Sequence, residues 1–225
     1  MVAKVNMRIR KQEEEFEKIW QKNKAKCLRT VQENPIVISL VCEVDTSLYD
    51  IFKEIANELE DICEGMYLYR NRNLHITLIG FGLYQNVLPN LQKIIAICND
   101  EISKSRSFEI IFRGLNLFPD TIIVQVFDPT GKLSSLVHNI NKQLLNGRII
   151  TKENIGLHNR IWWVTIARFI SDKVNINELM KFLENKRRSY FGKMKVNELK
   201  IVKTDKFYSL KATEVIERFK VSDSY

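Results

Sequence analysis

The apolar positions of this chain change period several times along its length. Ile36–Val44 is a near-continuous, β-branched run of strand length. Tyr49–Cys63 then places Ile51, Phe52, Ile55, Leu59 and Ile62 at the three-and-four spacing of one helix face. Leu74–Phe81 returns to strand composition, and Val87–Ile102 to helical spacing. Phe108–Arg113 and Thr121–Phe127 read as strands paired around the turn residues Phe118-Pro119-Asp120. Leu133–Leu145 is a third long helix, closed by Asn146-Gly147 as a C-cap, followed by a strand at Ile161–Phe169 and a helix at Ile176–Glu184. Val196–Lys203 and Phe207–Ala212 read as a final hairpin turning at Thr204-Asp205. Strand pairs interleaved with single helices predict an α+β fold rather than a doubly wound parallel sheet.

Residues 1–34 stand apart. Lys11–Val31 reads as a helix with Phe16, Ile19, Trp20 and Cys27 near one stripe. Glu13, Glu14 and Glu15 crowd its start and Lys22, Lys24 and Lys26 its end, which suits the helix dipole. Asn34-Pro35 breaks the pattern. Two uses stay open: a helix laid on the domain by its apolar stripe, or a basic arm that recruits a protein partner. The chain accordingly divides into an N-terminal basic helical extension, 1–34, and one domain, 35–225.

Composition narrows the class. Of the 225 residues 45% are hydrophobic and 28% charged, which excludes extended disorder and low-complexity chains. The longest apolar run, Ile36 to Cys42, falls short of the roughly 18 residues of a membrane span. The N-terminus carries no apolar stretch of a secretory signal, so a soluble, cytoplasmic monomer is expected, with no membrane partner. Cys27, Cys42, Cys63 and Cys98 lie far apart, with no C-x-x-C pair and no histidine at ligand spacing, so neither a metal site nor a disulfide framework is expected. No Gly-rich phosphate loop occurs and no cofactor is implied. The formal charge of +8 favours a polyanionic partner, RNA or nucleotide phosphate before lipid.

An internal echo carries the chemistry. His75-Ile76-Thr77-Leu78-Ile79-Gly80-Phe81 aligns without a gap on Trp163-Val164-Thr165-Ile166-Ala167-Arg168-Phe169. On a strand, residues two apart point the same way, so His75 and Thr77 share a face, as do Trp163 and Thr165. Two similar lobes, each presenting one such strand, would enclose a groove.

His75-Ile76-Thr77-Leu78 resembles the first H-x-T motif of the two-histidine phosphoesterase superfamily, which includes the bacterial RNA 2′,3′-cyclic phosphodiesterases, also called 2′-5′ RNA ligases. Thr165-Ile166-Ala167-Arg168-Phe169 is similar to the end of its second motif, and Leu199–Val202 with Phe207–Leu210 to its closing hairpin. The resemblance covers roughly residues 35–215. It implies two pseudo-symmetric lobes of antiparallel sheet with outer helices around a central groove, beside the N-terminal helix. It further implies that His75 is catalytic, that Thr77 and Thr165 hold phosphate oxygens, and that Arg168 and Tyr208 line the substrate.

The departure is Trp163, which stands where the second histidine belongs. Displacement at phosphorus needs a proton removed on one side and delivered on the other, and each such group contributes roughly 10²–10⁴-fold. Indole has a donor N–H that does not titrate near neutrality. Catalysis is therefore expected to be impaired, with Trp163 either packing the groove or stacking a base. His158 replaces the missing group only if the chain bends before Trp163, because five residues of regular strand turn it to the other face. Trp162 is expected in the core and His138 on a helix surface or core edge. Tyr67–Arg72 is a candidate rim of the groove, and Lys186–Phe191 a second basic–aromatic cluster.

Overall fold

The computed structural model describes residues 2–24, 28–31, 33–151, 160–171 and 173–222. Among these residues nine strands form one antiparallel sheet: β1 Val37–Glu43, β2 Met66–Leu68, β3 His75–Leu83, β4 Phe108–Leu117, β5 Thr121–Phe127, β6 Trp162–Phe169, β7 Tyr190–Val196, β8 Glu198–Thr204 and β9 Glu214–Lys220. The helices are α1 Val2–Asn23, α2 Tyr49–Ile62, α3 Tyr84–Val87, α4 Leu91–Ser103, α5 Lys132–Asn146 and α6 Ile176–Lys186. The fold is α+β.

The strand order β7-β4-β5-β6-β3-β1-β8-β9 reads as two halves meeting at β6 and β3, with β2 added on the end of β6. Each half contains strand–helix–strand–helix in sequence: β1, α2, β3, α4 in one and β5, α5, β6, α6 in the other. Within each half the strands pair over long registers, but β3 and β6 pair only at Ile76 and Val164. That seam divides the lobes.

One face of the sheet is roofed by helices whose buried residues keep strict helical spacing. In α2 these are Phe52, Ile55, Ala56 and Leu59, and in α5 Leu133, Leu136, Val137, Ile140 and Leu144. All of these but Ala56 form one core with Ile76, Val164, Leu40 and Ile201, in which side chains are almost fully removed from water. Each such buried aliphatic chain contributes on the order of 1.5–3 kcal/mol. Trp162 lies in this core, while His138 is exposed on α5.

Several boundaries differ from expectation. Helix α1 begins nine residues before Lys11 and ends at Asn23, and the described residues 28–31 are not helical. The predicted Val87–Ile102 helix is broken by Pro89 into α3, a 3-10 turn and α4. The closing hairpin also moves: β8 pairs with Glu214–Lys220, and Phe207–Ala212 is a turn. Asp205 accepts hydrogen bonds from Ser209 N and Oγ, both at 2.8 Å, and Tyr208 has φ +50°, a backbone conformation that no strand holds. The cluster around Tyr190 proves to be an edge strand, with Phe191, Met194 and Val196 buried and Lys193 and Lys195 exposed. Cys42, Cys63 and Cys98 are buried and form no disulfide; Cys27 lies outside the described residues.

Candidate functional site

The seam between β3 and β6 sets the geometry. Ile76 opposite Val164 puts His75 beside Thr165 and Thr77 beside Trp163, on the sheet face away from α2 and α5. Simple alternation from Thr165 would send Arg168 to the other face. A register shift between Ile122 and Ile123 places Ile123 opposite Thr165 but Thr121 opposite Arg168, which returns Arg168 to the face of Thr165. Tyr208 arrives from the turn after β8. Of the sequence-predicted residues, His75, Thr77, Trp163, Thr165, Arg168 and Tyr208 are thereby gathered at one sheet face; His158 lies outside the described residues.

His75 is half-buried at the start of β3. Its ring stacks on Tyr208, with centroids 3.8 Å apart and planes at 18°. Its Nδ1 lies 2.9 Å from the Asn73 carbonyl oxygen. A carbonyl only accepts, so Nδ1 carries the proton, and in the neutral ring Nε2 is left as the proton acceptor. Burial pushes the imidazole down to about 4; the Asn73 bond opposes this and the positive charge of Arg168 adds to it. The ring is therefore neutral at pH 7. Tyr208 is itself buried, and its hydroxyl has no hydrogen-bond partner among the described residues. Burial, with Glu43 nearby, holds that phenol well above its ordinary range.

Arg168 is held on two sides. Its Nε donates to the Tyr69 hydroxyl at 2.7 Å, and its Nη1 lies 3.1 Å from Asp120 Oδ2. Lys206 Nζ approaches the same carboxylate oxygen at 3.3 Å, so two cations share one acid at the rim. An aromatic wall stands beside them: Tyr67 meets Tyr69 and Phe207 edge-on at 5.1 and 5.0 Å, and Asn73 Nδ2 donates to the Tyr67 hydroxyl at 3.2 Å. Tyr67 and Tyr69 belong to the stretch that the sequence marks as a possible rim. Asn73, Asp120 and Lys206 carried no signal: Asn73 acts on His75 through its backbone carbonyl, and Asp120 and Lys206 come from turns that the fold brings in from elsewhere.

Trp163 is half-buried, and its ring meets Phe118 edge-on at 4.7 Å. It packs against a second apolar cluster built from Phe16 of α1, Ile123 and Phe127 of β5, and Ile161. An indole there supplies contact area and no group that exchanges protons near neutrality.

The model of the 2′-5′ RNA ligase superfamily matches residues 50–206, well over half of the chain. This chain belongs to that superfamily. The matched segment of this superfamily member begins after α1. No curated protein matches its sequence. Among solved structures, TT0787 of Thermus thermophilus is 14% identical with a TM-score of 0.63, over 84% of this chain and 100% of its own. E. coli LigT complexed with phosphate is 11% identical with a TM-score of 0.56, over 85% of this chain and 100% of LigT. LigT complexed with 3′-AMP is 10% identical with a TM-score of 0.55, over the same 85% and 100%. At such identities these likenesses concern the superfamily fold. Among the described residues, no helix is long and apolar enough to cross a membrane.

Proposed function

We propose that this superfamily member binds the phosphate of an RNA end or of a 2′,3′-cyclic nucleotide beside His75, and that its turnover as a cyclic phosphodiesterase is impaired. The observation that carries the reading is a neutral imidazole with Nδ1 engaged by Asn73, next to a guanidinium on the same sheet face. Nε2 accepts the proton of a water as its oxygen attacks phosphorus, and the bond from phosphorus to one ribose oxygen breaks. The hydroxyls of Thr77 and Thr165 donate to the phosphate oxygens, and Arg168 with Lys206 offsets their charge. Trp163 offers its surface to the base. LigT has been crystallised with phosphate and with 3′-AMP, which supports a nucleotide phosphate as the ligand class.

The leaving ribose oxygen also needs a proton. In a two-histidine site the second imidazole delivers it; here that position holds Trp163, and the proton comes from solvent. Losing one acid–base group costs roughly 10²–10⁴-fold, about 3–5 kcal/mol of barrier. An imidazole held at about 4 is also a weak base at neutral pH. A bound phosphate lifts it, because a neighbouring anion favours the protonated ring. These two features favour a second reading, in which the protein binds nucleotide without turning it over.

One experiment separates them: turnover of 2′,3′-cyclic AMP and CMP beside a His75→Ala control, with binding measured by calorimetry on the same samples. Slow turnover that disappears in His75→Ala is the expected result. Binding with no turnover selects the silent module. Neither binding nor turnover refutes both.

A further inference from the structure

Helix α1 lies before the segment that the superfamily model matches, yet it is seated on the domain. Phe16 is only 1% exposed, its ring 5.6 Å from Phe127, with Ile9 and Ile19 packed on the same cluster. A helix fixed along that stripe must set its neighbouring side against whatever borders the cluster. Arg8, Lys11, Gln12 and Glu15 stand at i, i+3, i+4 and i+7 and share such a side. It borders the connection between β5 and α5, residues 128–131. Arg8 Nη1 donates to the Thr130 carbonyl, and Asp128 N donates to Gln12 Oε1 at 3.0 Å. The Arg8 guanidinium lies against Gly131, whose φ is +76°; a Cβ there would stand 2.5 Å from Arg8 Cζ, so the glycine leaves the space that Arg8 occupies.

Gln12 is 7% exposed, and the bond from Asp128 N fixes which way its amide points. An amide turned the other way would set its NH2 group against that N–H. The Nε2 end is therefore the one left over, and it is buried with no hydrogen-bond partner among the described residues. Buried donors are almost always matched by an acceptor, so this one asks for an oxygen that the described residues do not supply. Beside it lies a cavity of about 350 Å³, lined by Gln12 with Arg8, Lys11, Glu15, Asp128 and Arg160 among others. That volume falls in the range of small-molecule sites, roughly 300–1,000 Å³.

The charges around the cavity are unevenly served. Asp128, 1% exposed, accepts from Thr130 Oγ1 at 3.1 Å and from Gly131 N, Ser134 N and Ser134 Oγ at 2.8 Å each, which fills its carboxylate. Glu15 is bonded to Lys18 at 2.7 Å with Arg160 at 3.7 Å, and Glu14 pairs with Arg10 at 3.5 Å. Arg8 and Lys11 meet no carboxylate among the described residues. The acids are thus occupied, while two cations and one amide donor are not. We propose that this cavity binds a small organic anion, bearing a phosphate or a carboxylate, with one oxygen on Gln12 Nε2 and its charge against Arg8 and Lys11. The site is separate from the His75 cleft. Asp128 lies five residues past Ile123, the strand neighbour of Thr165, which at about 3.4 Å per residue places it roughly 17 Å away.

The test is a titration of the intact chain with inorganic phosphate, glycerol 3-phosphate and succinate, followed by backbone amide shifts in NMR spectra. Saturable shifts are expected at residues 8–15 and 128–134, with one apparent affinity for both segments, weakening as salt is raised. A response to the two phosphates alone identifies a phosphate-bearing ligand, and a response to succinate alone a carboxylate; either supports the site. Gln12→Glu keeps the acceptor for Asp128 N and replaces the unpaired donor by a carboxylate oxygen. It is expected to weaken binding by about tenfold or more, as loss of a hydrogen bond to a charged group does. Lys11→Met, at an exposed position, is expected to weaken it at least about threefold and keeps the test open if Gln12→Glu does not fold. Three results overturn the proposal. One is no saturable shift in these segments with any probe up to about 50 mM, well above the affinity of even a weak specific site. Another is saturation confined to residues of the His75 cleft, which leaves the functional reading standing. The third is an unchanged affinity in the folded variants.

Discussion

Lowering the pH interrogates His75 directly. Its imidazole is pushed from the ordinary 6.5 down to about 4, by burial first and by Arg168 in addition. As pH falls below 6.5, the unfolded chain takes up a proton at this residue that the folded chain refuses until about pH 4. The unfolded state binds more protons across that window, so stability rises with pH through it. The contribution is fully present above pH 6.5 and is lost progressively on the way down to about 4. At about 1.36 kcal/mol per unit, the fall from 6.5 to about 4 bounds the effect at roughly 3 kcal/mol. The side chain is only partly buried, so roughly 2–3 kcal/mol is the expected range.

The assay is urea unfolding followed by tryptophan fluorescence between pH 4 and 8, on the wild type and on His75→Phe. Phenylalanine keeps a flat ring against Tyr208 and does not titrate. Carboxylates elsewhere contribute to both curves, and their difference isolates His75. That difference is expected to shift by about 2–3 kcal/mol between pH 7 and pH 4, with the His75 ring resonance titrating near 4 by NMR. A flat difference curve, or a ring that titrates near 6.5, refutes the neutral, desolvated imidazole and with it the proton acceptor of the proposed site.

Three substitutions test other parts of the molecule. Arg168→Ala leaves Asp120 with Lys206 as its remaining cation and removes the donor to the Tyr69 hydroxyl. It is expected to lower stability by about 1–2 kcal/mol in urea titrations, mainly through the lost charge-assisted hydrogen bond to Tyr69, and to abolish 3′-phosphate binding; a loss below about 0.5 kcal/mol would mean that the pair is solvated. Trp163→His gives up the contacts with Phe118 and the Phe16 cluster, and is expected to cost about 2–3 kcal/mol. Its cyclic-nucleotide turnover is expected to rise by less than the roughly 10²-fold of a well-placed acid. The gain should vanish on adding His75→Ala; a gain that persists there identifies a different catalytic pair. Tyr208→Phe deletes a buried hydroxyl with no partner among the described residues, so thermal unfolding should show unchanged stability or a gain of up to about 1 kcal/mol. Destabilisation would reveal a hydrogen bond made by that hydroxyl.

The helices α2 and α5 were legible because their apolar spacing is a local property, and the buried face follows directly from it. The same holds for β3 and β6: alternation alone puts His75 with Thr77 and Trp163 with Thr165, and the order of elements predicts an α+β chain with an internal echo. The terminal hairpin failed because Asp205 ties Ser209 into a turn, a side-chain bond that β propensity does not register. The alternation of Met194 and Val196 with Lys193 and Lys195 was present in the sequence, obscured by the basic run before it.

What tertiary structure alone decided is the character of the cleft. Strand alternation put Thr165 on the site face, but only the β5–β6 register shift brought Arg168 back to it. The stripe of α1 announced that the helix would be buried, and left open against what; the answer is the apolar half of the site's own face. Asp120 and Lys206 entered the site from loops, and Tyr208 reached His75 across more than a hundred residues of chain. Periodicity is set by backbone geometry between neighbours in sequence, so it can be read residue by residue. Register, bulges and the choice of packing partner are set by contacts between distant segments, and those exist only once the chain has closed on itself.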